Sequence, residues 1–256
     1  MRRLIPVFSM LALLLFGCGE EEKKDEGGFH PSPKGIVYGW VKDEASKEPI
    51  PNAQVTLKGE TATTDQDGNF YFTDVEYSEQ INLEVSAPHY KPHSESIALN
   101  KPELSRVIYL KRDFDPQKEI ESLIDRVEML IGSDDPKNIP ELKSLFSRQY
   151  KASDDDATTF VVSLGLIPKN YDDVFLCVSS IFKKYDEIKF DFSNIKVVAP
   201  TAYRADARMS LTIGVKKAEE DKKAEVDLKC TLSFVRGSGD WQISSWKLNE
   251  IIEIRE

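Results

Sequence analysis

Cysteine and histidine are the residue types in this chain that could do covalent or metal chemistry, and there are three of each. The cysteines are Cys18, Cys177 and Cys230, and the histidines are His30, His89 and His93. A thiol can carry a lipid, form a disulfide or act as a nucleophile, whereas an imidazole binds metals or moves protons. All the histidines come before residue 94, so the second half of the chain has no histidine to use as a base.

Cys18 follows a segment that has the order of residue types found in export signals. Arg2 and Arg3 precede an apolar run of about 13 residues, which is shorter than the roughly 20 that span a bilayer. The end of this run, Leu15-Phe16-Gly17-Cys18, resembles the lipobox of bacterial lipoproteins. The resemblance implies cleavage between Gly17 and Cys18, a thioether-linked diacylglycerol on Cys18 and acylation of the new amino group. The alternative is an ordinary secretory signal, 1–17, with an incidental cysteine.

Residues 18–34 are predicted to form a flexible linker behind the lipid. They are polar and charged, and such a segment cannot bury enough apolar surface to offset the entropy lost on ordering. By resemblance to bacterial sorting rules, Asp directly after the lipidated cysteine retains a lipoprotein in the inner membrane. Gly19 lacks that signal, so we expect a lipid-anchored protein of the cell envelope, in the outer membrane if the organism has one.

Length and charge restrict what the rest of the chain can be. Removal of residues 1–17 leaves 239 residues, which is room for two ordinary domains, and moves the net charge from −10 to −12 because Arg2 and Arg3 are lost. An acidic chain without a basic patch is poorly suited to nucleic acid, whose phosphates require Lys and Arg. No later segment reaches transmembrane length, so the lipid is the only membrane anchor that we predict.

Residues 35–112 are predicted to form an all-β sandwich. Short runs of aromatic and β-branched residues alternate with polar residues and are separated by turn residues. The predicted strands are 36–41, 53–57, 61–64, 69–72, 81–85, 96–99 and 107–110.

Four blocks in this region carry a family resemblance. They are Gly39-x-Val41, Pro49-Ile50-x-x-Ala53-x-Val55-x-Leu57, Thr64-x-x-x-Gly68-x-Phe70-x-Phe72 and Leu83-x-Val85-x-Ala87. The blocks resemble the carboxypeptidase regulatory-like domain, which has transthyretin-type topology. The family usually has Gly where this chain has His89. The resemblance implies a non-catalytic module and no carboxypeptidase activity.

Two constellations in this domain could hold a metal, but each has a simpler interpretation. The segment 65–69, Asp-Gln-Asp-Gly-Asn, has oxygen ligands at alternate positions with Glu76 at the twelfth, although strands rather than helices flank it. Asp-Gly between strands favours a hairpin turn with Gly68 at positive φ. His89 and His93 have helical spacing, but Pro88 and Pro92 exclude a helix. We therefore predict a turn and two loop histidines, with no metal and no cofactor.

Residues 113–256 are predicted to form an α+β domain with helices first and an antiparallel sheet after them. Apolar residues at helical spacing predict helices over 115–132, from about 142 to Tyr150, from about Asp156 to 164 and over 171–185. Alternating residues predict strands over 188–197 with a bulge at Ser193-Asn194, and over 203–215, 224–234 and 241–243.

Three features of this region resemble the nuclear-transport-factor-2-like fold, in which a curved sheet and helices form a cone. They are the opening helix, Leu145-Phe146-Ser147-x-x-Tyr150 and Asp240-Trp241-x-Ile243-x-x-Trp246. Hydrolases and isomerases of this fold commonly place a His–Asp or Tyr–Asp arrangement inside the cone. The candidates here are Tyr150, Tyr171, Tyr203, Asp191 and Asp206. Both aspartates fall at polar strand positions, opposite the apolar face, so we predict no catalytic residues and no enzyme.

Cys177 and Cys230 remain as an even pair in an oxidising compartment. Both occupy apolar positions, one on the fourth helix and one on a strand, so both should point into the same core. A disulfide between them and two buried thiols are both compatible with this pattern.

The favoured function is a lipid-anchored envelope protein that displays two non-catalytic modules for binding or assembly, with an envelope protein or a glycan as partner. The alternative is a small hydrophobic or glycan ligand in the cone, with weak catalysis. The occurrence of the first family suggests a third, an accessory protein of a glycan- or protein-processing machine. A cone filled by Trp246, Phe190, Met209 and Leu211 favours a scaffold, whereas an open pocket with inward polar groups favours a ligand.

Overall fold

The computed structural model describes residues 32–133, 135–217, 222–237 and 239–255. Within it, the chain from Lys34 onwards forms one compact unit that contains two hydrophobic cores. The predicted signal, Gly17, Cys18 and the linker up to residue 31 lie outside the described residues. No helix of the described part is long and apolar enough to cross a membrane.

The first domain is the predicted all-β sandwich. Its strands are β1 (Lys34–Asp43), β2 (Gln54–Leu57), β3 (Glu60–Thr63), β4 (Asn69–Glu76), β5 (Ser78–Ser86), β6 (His93–Leu99) and β7 (Glu103–Leu110). They form two sheets, of order β4-β1-β7 and β3-β2-β5-β6, and every second residue of β1 is buried between them. β1 and β7 are parallel, so the chain enters β1 at one end of the sandwich and leaves β7 at the other.

The turn predicted at 65–69 is present, but the hairpin is not, because β3 and β4 belong to different sheets. The Asp65 carboxylate accepts hydrogen bonds from the backbone N–H groups of Asp67 and Asn69, at 2.9 and 2.8 Å. Gly68 has the predicted positive φ of 74°, and a Cβ there would lie 2.6 Å from the Val41 carbonyl oxygen. The segment therefore crosses from one sheet to the other close against β1, which only Gly permits.

The second domain has the predicted α+β architecture. Its helices are α1 (Pro116–Gly132), α2 (Ile139–Ser144), α3 (Asp156–Ser163) and α4 (Asp173–Lys184), with a short 3₁₀ turn at Pro136–Asn138. Its strands are β8 (Phe146–Ala152), β9 (Glu187–Thr201), β10 (Arg204–Lys217), β11 (Lys222–Arg236) and β12 (Trp241–Arg255). They form a sheet of order β8-β12-β11-β10-β9, antiparallel except for the short β8–β12 pairing.

The helix predicted to run to Tyr150 ends at Ser144, so this prediction was wrong. Phe146 begins β8 and pairs with Ile243 of β12, whose N–H donates to the Leu145 carbonyl at 2.8 Å. Phe146 and Tyr150 still face the core, with ring centroids 4.8 Å apart. Because β8 pairs with β12, which is distant in sequence, its residues form a strand although their apolar spacing is typical of a helix. β12 also continues to Arg255, well beyond the predicted strand at 241–243.

Helix α1 covers the free edge of the sheet at β9. The Gln117 amide accepts from the N–H of Val197 at 3.0 Å and donates to the Ile195 carbonyl at 3.2 Å, as a neighbouring strand would. Near the other end of α1, the Glu128 carboxylate accepts from the N–H of Phe192. The predicted bulge is present, with Asn194 at a φ of 55°. The helix thereby occupies backbone groups that could otherwise pair with another chain.

Candidate functional site

The space between the sheet and the helices of the second domain, which we call the cone, is filled by apolar side chains. Trp246, Phe190, Met209 and Leu211 are each at most 6% exposed. The remaining space near Trp246 and Phe190 is about 20 Å³, which is room for about one water molecule. The interior therefore has the arrangement that favours a scaffold over an internal ligand site.

The two aspartates considered for catalysis lie outside this interior, on the predicted polar face. Asp191 is exposed and forms an ion pair with Lys189, 2.8 Å between Oδ2 and Nζ. Asp206 is also exposed and accepts a hydrogen bond from the Ser233 hydroxyl at 2.7 Å. Neither carboxylate can reach a group bound within the cone.

Each of the three tyrosines contacts a group other than these aspartates. Tyr150 is buried and donates to the Pro168 carbonyl at 2.9 Å, and burial raises the pKa of its hydroxyl. The Tyr171 ring lies beneath the Lys143 ammonium group, and Tyr203 lies where the two domains meet. Among the described residues, none of these tyrosines is hydrogen-bonded to Asp191 or Asp206.

Cys177 and Cys230 both belong to the core of the second domain, and both are free thiols in this structure. The Cys177 thiol donates to the Gly165 carbonyl at 3.2 Å, whereas Cys230 is buried on β11. Burial raises the pKa of each thiol to about 12, so neither is a nucleophile at neutral pH. A disulfide between them stays a prediction.

Charged groups are buried where the two domains meet. The Asp43 side chain is 1% exposed at the end of β1, and its Oδ2 accepts from Arg112 Nε at 2.6 Å and from the Tyr90 hydroxyl at 2.8 Å. Its Oδ1 accepts from the backbone N–H groups of Ala45 and Ser46. Although burial alone would raise the pKa of Asp43, these hydrogen bonds hold it below the usual range.

Arg112 links this cluster to the second domain by a hydrogen bond. Its Nη2 donates to the Ala199 carbonyl on β9 at 2.8 Å. Just beyond β9, Ala202 is fully buried in the core of the first domain. The buried charges and the inserted alanine join the domains into one unit.

His89, which replaces the usual Gly, lies at the same junction. It adopts a φ of 65°, which is uncommon for a residue other than Gly. Its ring packs edge-to-face on Tyr203 and Phe114, with centroids 5.6 and 6.2 Å away, and Nε2 lies 3.3 Å from the Gly237 carbonyl. His93 begins β6 rather than lying in a loop, where Glu95 is its neighbour. The described residues contain no group of three metal-binding side chains.

Arg236 completes the junction from the end of β11. Its guanidinium lies 4.4 Å from the Phe114 ring centroid and 5.2 Å from that of Trp241, and Nη2 pairs with the Glu119 carboxylate at 2.8 Å. Sequence reasoning did not single out Arg236, Asp43 or Arg112, because their partners are distant in the chain. The departure at His89 fell in this region, as did Tyr203 and Trp241, which were noted for other reasons.

Two larger cavities lie on the second domain. An open cleft of about 830 Å³ runs between α1 and the start of β12. Among its charged lining residues, Glu119 pairs with Arg236, and Arg126 pairs with Glu141, which does not line the cleft. A second cavity, of about 220 Å³, lies at the end of the cone between α3 and strands β10 to β12. It is lined by Phe160, Val161, Leu164, Leu166, Lys184, Tyr185, Ile213, Val215, Ala224, Glu225, Val226, Leu228, Ile251 and Ile254.

The outer face of the β4-β1-β7 sheet carries aromatic side chains. Tyr38 and Trp40 of β1 lie on this face, where Tyr38 is paired with Tyr71 on β4 and Trp40 with Val107 on β7. Tyr71, Val107 and Tyr109 are 45–55% exposed. We call these five residues the aromatic face; it is an exposed apolar surface of the kind that marks interaction sites.

Comparison with known proteins finds one family match, which lies in the first domain. Residues 36–108 match the carboxypeptidase regulatory-like domain, in agreement with the resemblance noted in the sequence. No curated protein matches the chain.

Solved structures similar to the chain cover about half of it. One is a protein provisionally assigned as a scytalone dehydratase from Novosphingobium aromaticivorans, at 14% identity and a TM-score of 0.45, covering 54% of this chain and 85% of that one. Another is a hexachlorocyclohexane dehydrochlorinase from Novosphingobium barchaimii, at 11% identity and a TM-score of 0.41. The match covers 53% of this chain and 87% of that one. A third is a protein from Xanthomonas campestris that is provisionally assigned as a calcium/calmodulin dependent protein kinase II association domain, at 13% identity and a TM-score of 0.40. The match covers 51% of this chain and 84% of that one. They include enzymes and an association domain, and none assigns an activity here.

Proposed function

We propose that this chain is a lipid-anchored protein of the cell envelope, in the outer membrane where there is one, and that its two joined domains are non-catalytic modules for binding or assembly. The observation that carries the non-catalytic part is the filled cone, since Asp191 and Asp206 lie outside it and the buried Tyr150 hydroxyl donates to the Pro168 carbonyl. The lipobox-like sequence before Cys18 and the polar segment after it support the anchor.

The course of the chain through the first domain supports a display role. The segment that follows Cys18 enters at the start of β1, and β7 runs parallel to β1 before the chain continues into α1. A strand of 10 residues spans about 33 Å. The sandwich would therefore place the second domain at the end away from the anchor, with the aromatic face along its side.

The anchor is tested by the mass of the N-terminal peptide from protein extracted out of membranes. We expect a peptide that begins at Cys18 and carries three acyl chains, and we expect Cys18→Ser to move the protein to the soluble fraction. A peptide that retains any residue before Cys18, or an unmodified Cys18 in the wild-type protein, would contradict the anchor.

Partner binding is tested by cross-linking the anchored protein in whole cells. Tyr71→Asp together with Tyr109→Asp places charge on the aromatic face, and Ser96→Asp places it on the outer face of the other sheet as a matched control. We expect a cross-linked envelope protein or glycan that the double variant loses and the control keeps. No cross-linked species, or equal loss in both variants, would count against the assembly role of this face.

A further inference from the structure

The 220 Å³ cavity at the end of the cone is apolar and open, unlike the filled interior. Of its fourteen lining residues only Lys184 and Glu225 carry a charge. Four large apolar side chains that line it remain partly exposed, with Phe160 and Leu164 at 51%, Ile251 at 37% and Ile254 at 61%. Large apolar side chains exposed together around a concavity indicate a binding site rather than ordinary surface.

The two charged residues at this cavity differ in whether they have a partner. Glu225 forms an ion pair with Arg255, next to Asp227. Lys184, at the end of α4, has no ion pair among the described residues, and its ammonium group lies 5.2 Å from the centroid of the Tyr185 ring. The cavity therefore offers apolar walls and one cation that is not neutralised by a described carboxylate.

We propose that this cavity binds a medium-chain carboxylate, with the acyl chain between α3 and the sheet and the carboxylate at Lys184. The charge of Lys184 complements the carboxylate, and the walls complement the chain. A cavity of about 150 Å³ accepts benzene, so 220 Å³ suits a chain of roughly eight carbons. The proposal concerns reversible binding and stands apart from both the lipid on Cys18 and the partner of the aromatic face.

The test is titration calorimetry of residues 18–256 carrying Cys18→Ser, with sodium octanoate and 1-octanol as probes. Burial of an eight-carbon chain predicts a dissociation constant on the order of 0.1 mM for octanoate. An exposed charge pair is worth up to about fivefold in affinity, so octanol should bind up to about fivefold more weakly. No binding of octanoate at millimolar concentration would overturn the proposal.

Two substitutions locate the carboxylate. Lys184→Met should weaken octanoate binding about fivefold and leave octanol binding unchanged. Lys183→Met is the matched control, because Lys183 is on the same helix but does not line the cavity, and it should change neither affinity. Equal effects of the two substitutions on octanoate would overturn the role of Lys184.

Two further substitutions locate the acyl chain. Ala224→Trp, at an exposed position in the cavity wall, should fill the space and abolish binding of both probes. Leu164→Glu, at the end of α3, should weaken octanoate binding more than octanol binding. Leu164 is 51% exposed, so this substitution should leave the fold intact. Unchanged binding in both variants would overturn the site. So would light scattering that shows a dimer broken by Ala224→Trp, since a second copy would then occupy the cavity.

Discussion

The interior of the cone and the junction between the domains are both buried, but they differ in what they bury. The interior is closed around aromatic and aliphatic side chains such as Trp246 and Met209. The junction buries the Asp43 carboxylate, the Arg112 guanidinium and the Tyr90 hydroxyl in one hydrogen-bonded cluster. Removing a charge from water is costly unless it is paired and hydrogen-bonded, and both oxygens of Asp43 have two donors.

The difference shows where this chain uses its buried polar groups. In an enzyme such groups face a cavity that a substrate can enter. Here they link β1, the segment around Tyr90 and the end of β9, so their role is to hold one domain on the other. Substitutions in the junction and in the interior test these two kinds of burial separately.

The largest expected effect is at the junction. Arg112→Ala leaves the Asp43 charge buried without its cation and should lower the free energy of unfolding by about 3–5 kcal/mol. Arg126→Ala is the control, since its pair with Glu141 is about half exposed and such pairs contribute at most about 1 kcal/mol. Urea unfolding measures both. Equal losses of unfolding free energy in the two variants would show that the Asp43 carboxylate does not depend on Arg112 as its buried partner.

The second expected effect is in the interior. Met209 is 4% exposed and Met129 is 61% exposed, so the two methionines form a matched pair. Met209→Ala should cost about 2–4 kcal/mol, because it removes buried methylene groups and leaves a cavity, whereas Met129→Ala should cost little. A small loss at Met209 would mean that the interior is loosely packed and open to a ligand.

A smaller effect should appear in acid. Because its hydrogen bonds outweigh burial, the folded-state pKa of Asp43 lies below its value in the unfolded chain, about 3.9. Its contribution to stability is therefore complete above that value and is lost as the pH falls through the folded-state pKa. Urea midpoints measured from neutral pH to below 4 should fall less steeply in Asp43→Asn than in the wild type. Parallel curves would contradict this assignment.

The smallest effect separates backbone strain from ring packing at His89. His89→Ala and His89→Gly both remove the ring, but only Gly adopts the φ of 65° without cost. His89→Gly should therefore be the more stable of the two by about 1 kcal/mol. Thermal unfolding of both variants measures the difference, and equal stability would place residue 89 outside the left-handed region.

Much of the fold follows from local pattern. The seven strands of the first domain, the capped helix α1 and the bulge at Asn194 could be predicted, because each depends on neighbouring residues. β8 could not, since Phe146 pairs with Ile243. Parity along a strand also shows which side chains face inward, but it did not decide whether they fill the interior or leave a pocket.

The junction could not be predicted in the same way. Asp43 is a polar residue at the end of a strand, and its partners Tyr90 and Arg112 are 47 and 69 residues further along. No spacing rule connects positions that far apart. His89 was noted as a departure from the family, but its contacts with Tyr203 and Phe114 depend on how the second domain folds back.

The junction should make the two domains unfold as one cooperative unit, which calorimetric unfolding of residues 18–256 with Cys18→Ser can measure. A single transition in which the calorimetric and van't Hoff enthalpies agree is the expected result. Two resolved transitions in the wild-type chain, each assignable to one domain, would contradict it.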